Sequence, residues 1–155
     1  MKKFTLFSAL LISFFSYSQS QVLNGISING PNGFTKSGDL TWSKGNDLIN
    51  VLSINAVLSN EDYDIQCKKG SRNSEFLYME EIDISGNTYP ICIQMGANEM
   101  LIGQTLIIRD GYSYFVTVAS NPGDYDLPST AEIFEKTLEQ IGYMLGYMVV
   151  RIKTF

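Results

Sequence analysis

Leu101-Ile102-Gly103-Gln104-Thr105-Leu106-Ile107-Ile108-Arg109-Asp110-Gly111-Tyr112-Ser113-Tyr114-Phe115-Val116-Thr117-Val118-Ala119 is the stretch on which the fold turns. Two β-rich runs flank a two-residue Asp-Gly, one of the strongest local signals for an antiparallel hairpin. Working back toward the N-terminus, Phe76 to Ile84 and Tyr89 to Met95 flank Ser85-Gly86-Asn87-Thr88, which predicts a second hairpin. Leu48 to Ile54, rich in Ile, Val and Leu, predicts another strand. Ile26 to Ile28 and Leu40 to Ser43 predict two shorter ones, the first ending at the turn formers Asn29-Gly30-Pro31-Asn32-Gly33.

Helical signals occur twice. Ser59 stands three residues ahead of Asp62, as a capping hydroxyl stands ahead of an acid, and Gly70 after Lys68-Lys69 offers a stop, which predicts a short helix over Asn60 to Lys69. After Pro128, Ser129 and Glu132 form a capping box, and Phe134, Leu138, Ile141, Leu145 and Met148 recur on one helical face. An amphipathic helix of about five turns follows, and its apolar stripe must cover a sheet. The expected fold class is α+β: an antiparallel sheet of four to six strands covered by a long C-terminal helix and one short helix. Gly142 and Gly146, four apart on the long helix, are expected to bring it close to that sheet.

The chain opens with a targeting pattern. Lys2 and Lys3 precede an apolar run from Phe4 to Phe15, and Ser16-Tyr17-Ser18 sets small residues where a signal peptidase reads. Residues 1–18 are therefore expected to be a signal peptide and residues 19–155 one α+β domain, exported to the periplasm or the extracellular medium. The apolar run is shorter than the roughly 20 residues a transmembrane helix needs. No transmembrane anchor is expected. Removing Lys2 and Lys3 takes the formal charge from -5 to -7, and the remaining Lys and Arg form no long cluster. That distribution argues against a nucleic-acid partner, whose affinity is built from concentrated positive charge.

Histidine is absent, which excludes Ser-His-Asp and Cys-His nucleophile activation and any His-containing zinc site. Two cysteines, Cys67 and Cys92, are too few for a Cys-rich zinc site. In an oxidising compartment they either close a loop of about 26 residues, stabilising by roughly 3 kcal/mol, or lie apart as buried thiols. All-oxygen cation sites are the remaining metal chemistry. Asn121, Asp124 and Asp126 space oxygen donors as calcium loops do, but the glycine and glutamate of an EF-hand loop are missing from their places. Glu80, Glu81 and Asp83 lie on a predicted strand as candidate paired carboxylates for glycoside hydrolysis. Alternation sets Glu81 and Asp83 on one face and Glu80 on the other, the pattern of a solvated strand.

Ile26-Ser27-Ile28 leading into Gly30-Pro31-Asn32-Gly33-Phe34, then the strand at Leu48 to Ile54, the later strands ending in Tyr112 to Ala119, and the closing helix from Thr130 resemble the PsbP/Mog1-like group of α+β domains, including its DcrB-type periplasmic members. Members of that group mostly contact other proteins without catalysis. The resemblance thus implies a binding role with a protein or cell-envelope partner, and no cofactor. It carries over no site residue. Aromatic residues supply the candidate binding surface: Trp42, Tyr112, Tyr114, Tyr143 and Tyr147, with Tyr78 and Tyr89 nearby on the sheet, each of which also suits a core. The competing reading is a small His-independent hydrolase using carboxylates or a bound divalent cation.

Overall fold

At Asp110-Gly111 the backbone takes φ of 51° and 81°, the left-handed pair that a two-residue hairpin turn requires to match strand twist. Asn24-Gly25 and Ser85-Gly86 repeat the arrangement. A computed structural model describes residues 20–70, 72–121 and 129–154. Its elements are β1 (Ser20–Leu23), β2 (Ile26–Asn29), β3 (Thr35–Gly38), β4 (Thr41–Lys44), β5 (Asp47–Ile54), α1 (Asn60–Lys69), β6 (Ser74–Ile84), β7 (Asn87–Gly96), β8 (Leu101–Arg109), β9 (Tyr112–Ser120) and α2 (Thr130–Thr154).

The fold is α+β, with more strands than the sequence predicts. Seven form one sheet in the order β3-β4-β5-β9-β8-β7-β6, and β1 and β2 make a separate two-stranded ribbon. Every neighbouring pair is antiparallel. The additional strands are β1 and β3. β3, Thr-Lys-Ser-Gly, is exposed throughout and is a strand because β4 pairs with it, not because of its composition. In the first long hairpin the loop is only Ser85-Gly86, so Asn87 and Thr88 join β7.

Alternation along the strands divides the side chains into two cores. One face carries Ile49, Val51, Ile91, Ile93, Leu101, Ile107, Val116 and Val118, buried beneath α2 and the β1–β2 ribbon with Ile141, Met144, Leu145, Met148 and Ile152. The other carries Cys92 and Leu106, buried with Tyr63 and Cys67 of α1. On β6 a bulge at Leu77 breaks the alternation, so Phe76 joins the α1 side while Tyr78 joins the α2 side.

α1 begins and ends as its sequence predicts. Ser59 Oγ accepts the Asp62 N–H at 3.0 Å, and the Gly70 N–H reaches the Cys67 carbonyl at 3.0 Å. α2 starts with the Ser129 and Glu132 box, where the Glu132 N–H meets Ser129 Oγ at 3.2 Å. Its 25 residues exceed the expected five turns, because Val149 and Ile152 continue the buried stripe to the C-terminal end. Arg109 there donates to the Ile152 carbonyl.

The close approach of helix and sheet is real, but the glycine responsible is on the strand. A Cβ at Gly103 of β8 would lie 2.4 Å from Ile141 Cγ2, whereas one at Gly142 or Gly146 would meet nothing within 4 Å. Gly142 and Gly146 instead line the outer side of α2 beside Tyr143 and Val150.

Candidate functional site

The aromatic residues singled out by composition separate into core and surface. Trp42 and Tyr114 are fully buried, which removes them from the candidate surface. Trp42 pairs with Ile49 across β4 and β5, and a Cβ at Gly30 would stand 2.8 Å from its ring, so the chain following β2 closes over the indole. Tyr114 points to the same side, and its hydroxyl accepts from Asn24 Nδ2 of the β1–β2 turn at 3.2 Å. Tyr112 packs against Tyr114 with ring centroids 6.3 Å apart and is half-buried. Tyr147 is also half-buried: its hydroxyl donates to the Gly30 carbonyl at 3.1 Å, and the Arg151 guanidinium lies 3.5 Å over its ring. Of the five, Tyr143 alone is exposed, at 51%.

A different set of side chains makes the open apolar surface. α1 covers the second face of the sheet over β6, β7 and β8, and on β5 that face is uncovered. Leu48, Leu52 and Ile54 project there at alternate positions, 41%, 58% and 36% exposed, with Val57 just beyond the strand at 63%. Register sets Leu48 beside Ala119 and Leu52 beside Phe115 of β9. Between the leucines Asn50 is occupied internally, its amide donating to Thr41 Oγ1 at 2.9 Å. The approach to α1 is held by Ser113, whose hydroxyl donates to the Ala56 carbonyl at 2.7 Å and accepts the Leu58 N–H at 2.8 Å. Leu48, Leu52 and Ile54 therefore stand on a strand paired on both sides, and Val57 lies in the connection from it to α1.

On the α2 face of the sheet, between the Ala97–Glu99 turn and the start of α2, lies a cavity of about 580 Å³ lined by Met95, Glu99, Leu101, Ile133 and Phe134. Asn98 and Glu99 both hold positive φ there, 56° and 60°, a conformation that costs non-glycine residues free energy.

The charged candidates do not converge. Glu80, Glu81 and Asp83 are all exposed on β6, with Glu80 on the α2 side and Glu81 and Asp83 on the other. Asn121 follows β9, while Asp124 and Asp126 lie outside the described residues. Among the described residues no group of three or more Cys, Asp or Glu side chains is placed to hold a metal ion. Residues 1–18 and the proposed cleavage point are likewise outside the described residues.

Cys67 and Cys92 are joined as a disulfide between α1 and β7. Next to it Tyr63 is buried, donating to the Gln104 carbonyl at 2.7 Å. Burial pushes its phenol well above the ordinary 10.0, and burial also raises Tyr78, Tyr89 and Tyr147. The folded state thus disfavours the phenolate. This contribution to stability is complete below pH 10 and is lost as pH rises from there toward the folded pKa. Thermal melts between about pH 8 and pH 11.5 are expected to show a falling Tm above about pH 10, less steeply in Tyr63→Phe. An equal slope in the variant would assign the loss to other groups.

No family model matches this chain, and no curated protein matches it. Among solved structures, the crystal structure of a protein of unknown function from Pseudomonas aeruginosa is similar at 14% identity over 77% of this chain and 92% of that one, with a TM-score of 0.34. A likeness of that degree carries no argument, so function rests on this chain's own residues. No described helix is long and apolar enough to cross a membrane.

Proposed function

We propose that this chain is an exported, non-catalytic binding domain that receives an apolar segment of a protein partner on the uncovered part of its sheet. The observation that carries this is the row Leu48, Leu52 and Ile54 on β5, with the exposed Val57 beyond its end, large apolar side chains left uncovered beside Phe115 although the same face is covered by α1 elsewhere. Single exposed leucines are ordinary, but a row in register along one strand is a surface that a partner desolvates. The disulfide supports export, because such bonds persist in oxidising compartments. The signal-like N-terminus and the resemblance to PsbP/Mog1-like domains, most of which contact proteins, point the same way.

Replacing Leu48 and Leu52 together by Glu tests the reading. Both side chains project into solvent, so the double variant is expected to melt within a few degrees of the parent, since surface changes usually stay within about 0.5 kcal/mol. Complexes that the parent forms in the cells that make it should then fall by at least about tenfold, as expected when a charge replaces a buried apolar contact. Full retention of those complexes by a folded double variant would place the partner elsewhere.

A further inference from the structure

We propose that the free edge of β6 accepts an extended, basic segment of a partner protein as an eighth strand of the sheet. This rests on the strand edge and its charge, independently of any docking on the Leu48 and Leu52 row.

β6 ends the strand order, paired with β7 on one side and with no strand on the other among the described residues. An edge strand turns alternate N–H and C=O groups outward, a template for main-chain pairing. At 11 residues it is the longest strand of the sheet, whereas the opposite edge, β3, has four. Proteins commonly blunt such edges with proline, lysine, short length or a bulge. Here the one bulge, at Leu77, lies near the start, and from Tyr78 to Ile84 the register with β7 is unbroken. That half of the edge is regular enough to template a further strand.

The charge on this edge has one sign. Ser74–Ile84 contains Glu75, Glu80, Glu81 and Asp83 and neither Lys nor Arg, and all four carboxylates are exposed. They occupy both faces of the strand, Glu75 and Glu80 on the α2 side and Glu81 and Asp83 on the α1 side. On the α1 face, between α1 and the β6–β7 pair, a groove of about 760 Å³ is lined by Met79, Glu80 and Glu81 of β6, Thr88 and Pro90 of β7, and Asp64 of α1. Asp64 is paired with Lys68 at 2.6 Å, and among the described residues no Lys or Arg forms an ion pair with a β6 carboxylate.

These charges select the occupant. A second copy pairing antiparallel through β6 would bring acidic residues opposite acidic residues, and like charges directly opposite destabilise a strand pair. A strand with Lys or Arg on both faces meets opposite charge on both. Main-chain hydrogen bonds would supply the pairing and the carboxylates its selectivity.

The test uses the oxidised, full-length processed protein and two synthetic peptides of repeated Lys-Lys-Thr-Thr, a pattern that sets Lys on both faces of a strand. One is unmodified, and the other is N-methylated through its centre, so that it keeps the charge but cannot donate main-chain hydrogen bonds. The unmodified peptide is expected to slow hydrogen exchange at β6 amides between Tyr78 and Ile84 by at least about tenfold. The N-methylated peptide should bind at least about tenfold more weakly, and the Glu80→Lys and Glu81→Lys double variant should lose the protection while keeping its Tm. Equal binding of both peptides would reduce the effect to diffuse charge attraction and overturn the proposal. So would β6 protection that appears without peptide and grows with protein concentration, which would give the edge to a second copy. Unchanged exchange at saturating peptide would show the edge closed.

Discussion

Trp42→Ala is expected to lower unfolding stability by about 3–5 kcal/mol, the range for removing a large aromatic side chain from a packed core. The indole is fully buried between Ile49 on the sheet and Gly30, whose backbone lies against the ring. Gly30 has no side chain that could swing inward to fill the space, and Tyr147 fixes the position of its carbonyl. The cavity would therefore persist. Trp42→Phe should lose distinctly less, because it leaves a smaller void. Urea titration followed by far-UV circular dichroism measures both, with the slope unchanged if only stability has moved. As the chain has one tryptophan, its fluorescence in the parent should also resist acrylamide quenching. A wild-type midpoint in Trp42→Ala, or a freely quenched indole, would return Trp42 to the surface.

Loss of the Cys67–Cys92 bridge is expected to cost about 3 kcal/mol, from the loop it closes in the unfolded chain. The two residues are 25 positions apart and both are buried, so the Cys67→Ala and Cys92→Ala double variant adds a small packing loss to that entropic one. The effect should be uneven across the molecule. α1 is amphipathic only weakly and is held to the sheet by Tyr63 and Cys67, whereas the α2 side of the sheet has a far larger apolar core. Hydrogen exchange after reduction should therefore accelerate first in α1. Two thiols titrating in the unreduced, denatured protein would contradict the bridge itself.

The contrast between those two sides explains how far the sequence could be read. Leu101–Arg109, Asp110-Gly111 and Tyr112–Ser120 form the hairpin that the pattern predicts, and Ser59 and Gly70 bound α1 where a capping hydroxyl and a glycine stop should. These are local signals, decided by turn and cap chemistry within a few residues. β3 has no such signal, since Thr35–Gly38 is polar and becomes a strand only by pairing. Gly103 reads as a weak strand residue, and its purpose appears only when Ile141 of α2 is packed upon it. Trp42 and Tyr114 show the same limit from the functional side. An aromatic residue suits a core and an interface equally in composition, and burial alone separates the two.

The apolar row carries a signal in the sequence itself. Asp47–Ile54, Asp-Leu-Ile-Asn-Val-Leu-Ser-Ile, places apolar residues on both faces of one strand. Such a run belongs to a strand covered on both sides. Ile49 and Val51 are covered by the α2-side core, while Leu48, Leu52 and Ile54 are left exposed.

The account stands most directly on what touches that uncovered face. A photo-crosslinking amino acid placed at Leu52, with Glu135 on the exposed side of α2 as the control position, would be activated in the cells that make the protein. The account predicts a discrete heteromeric adduct from position 52, absent from position 135 and lost when Leu48 is replaced by Glu. Adducts from position 135 alone, or none from position 52 while the protein is folded and abundant, would contradict it.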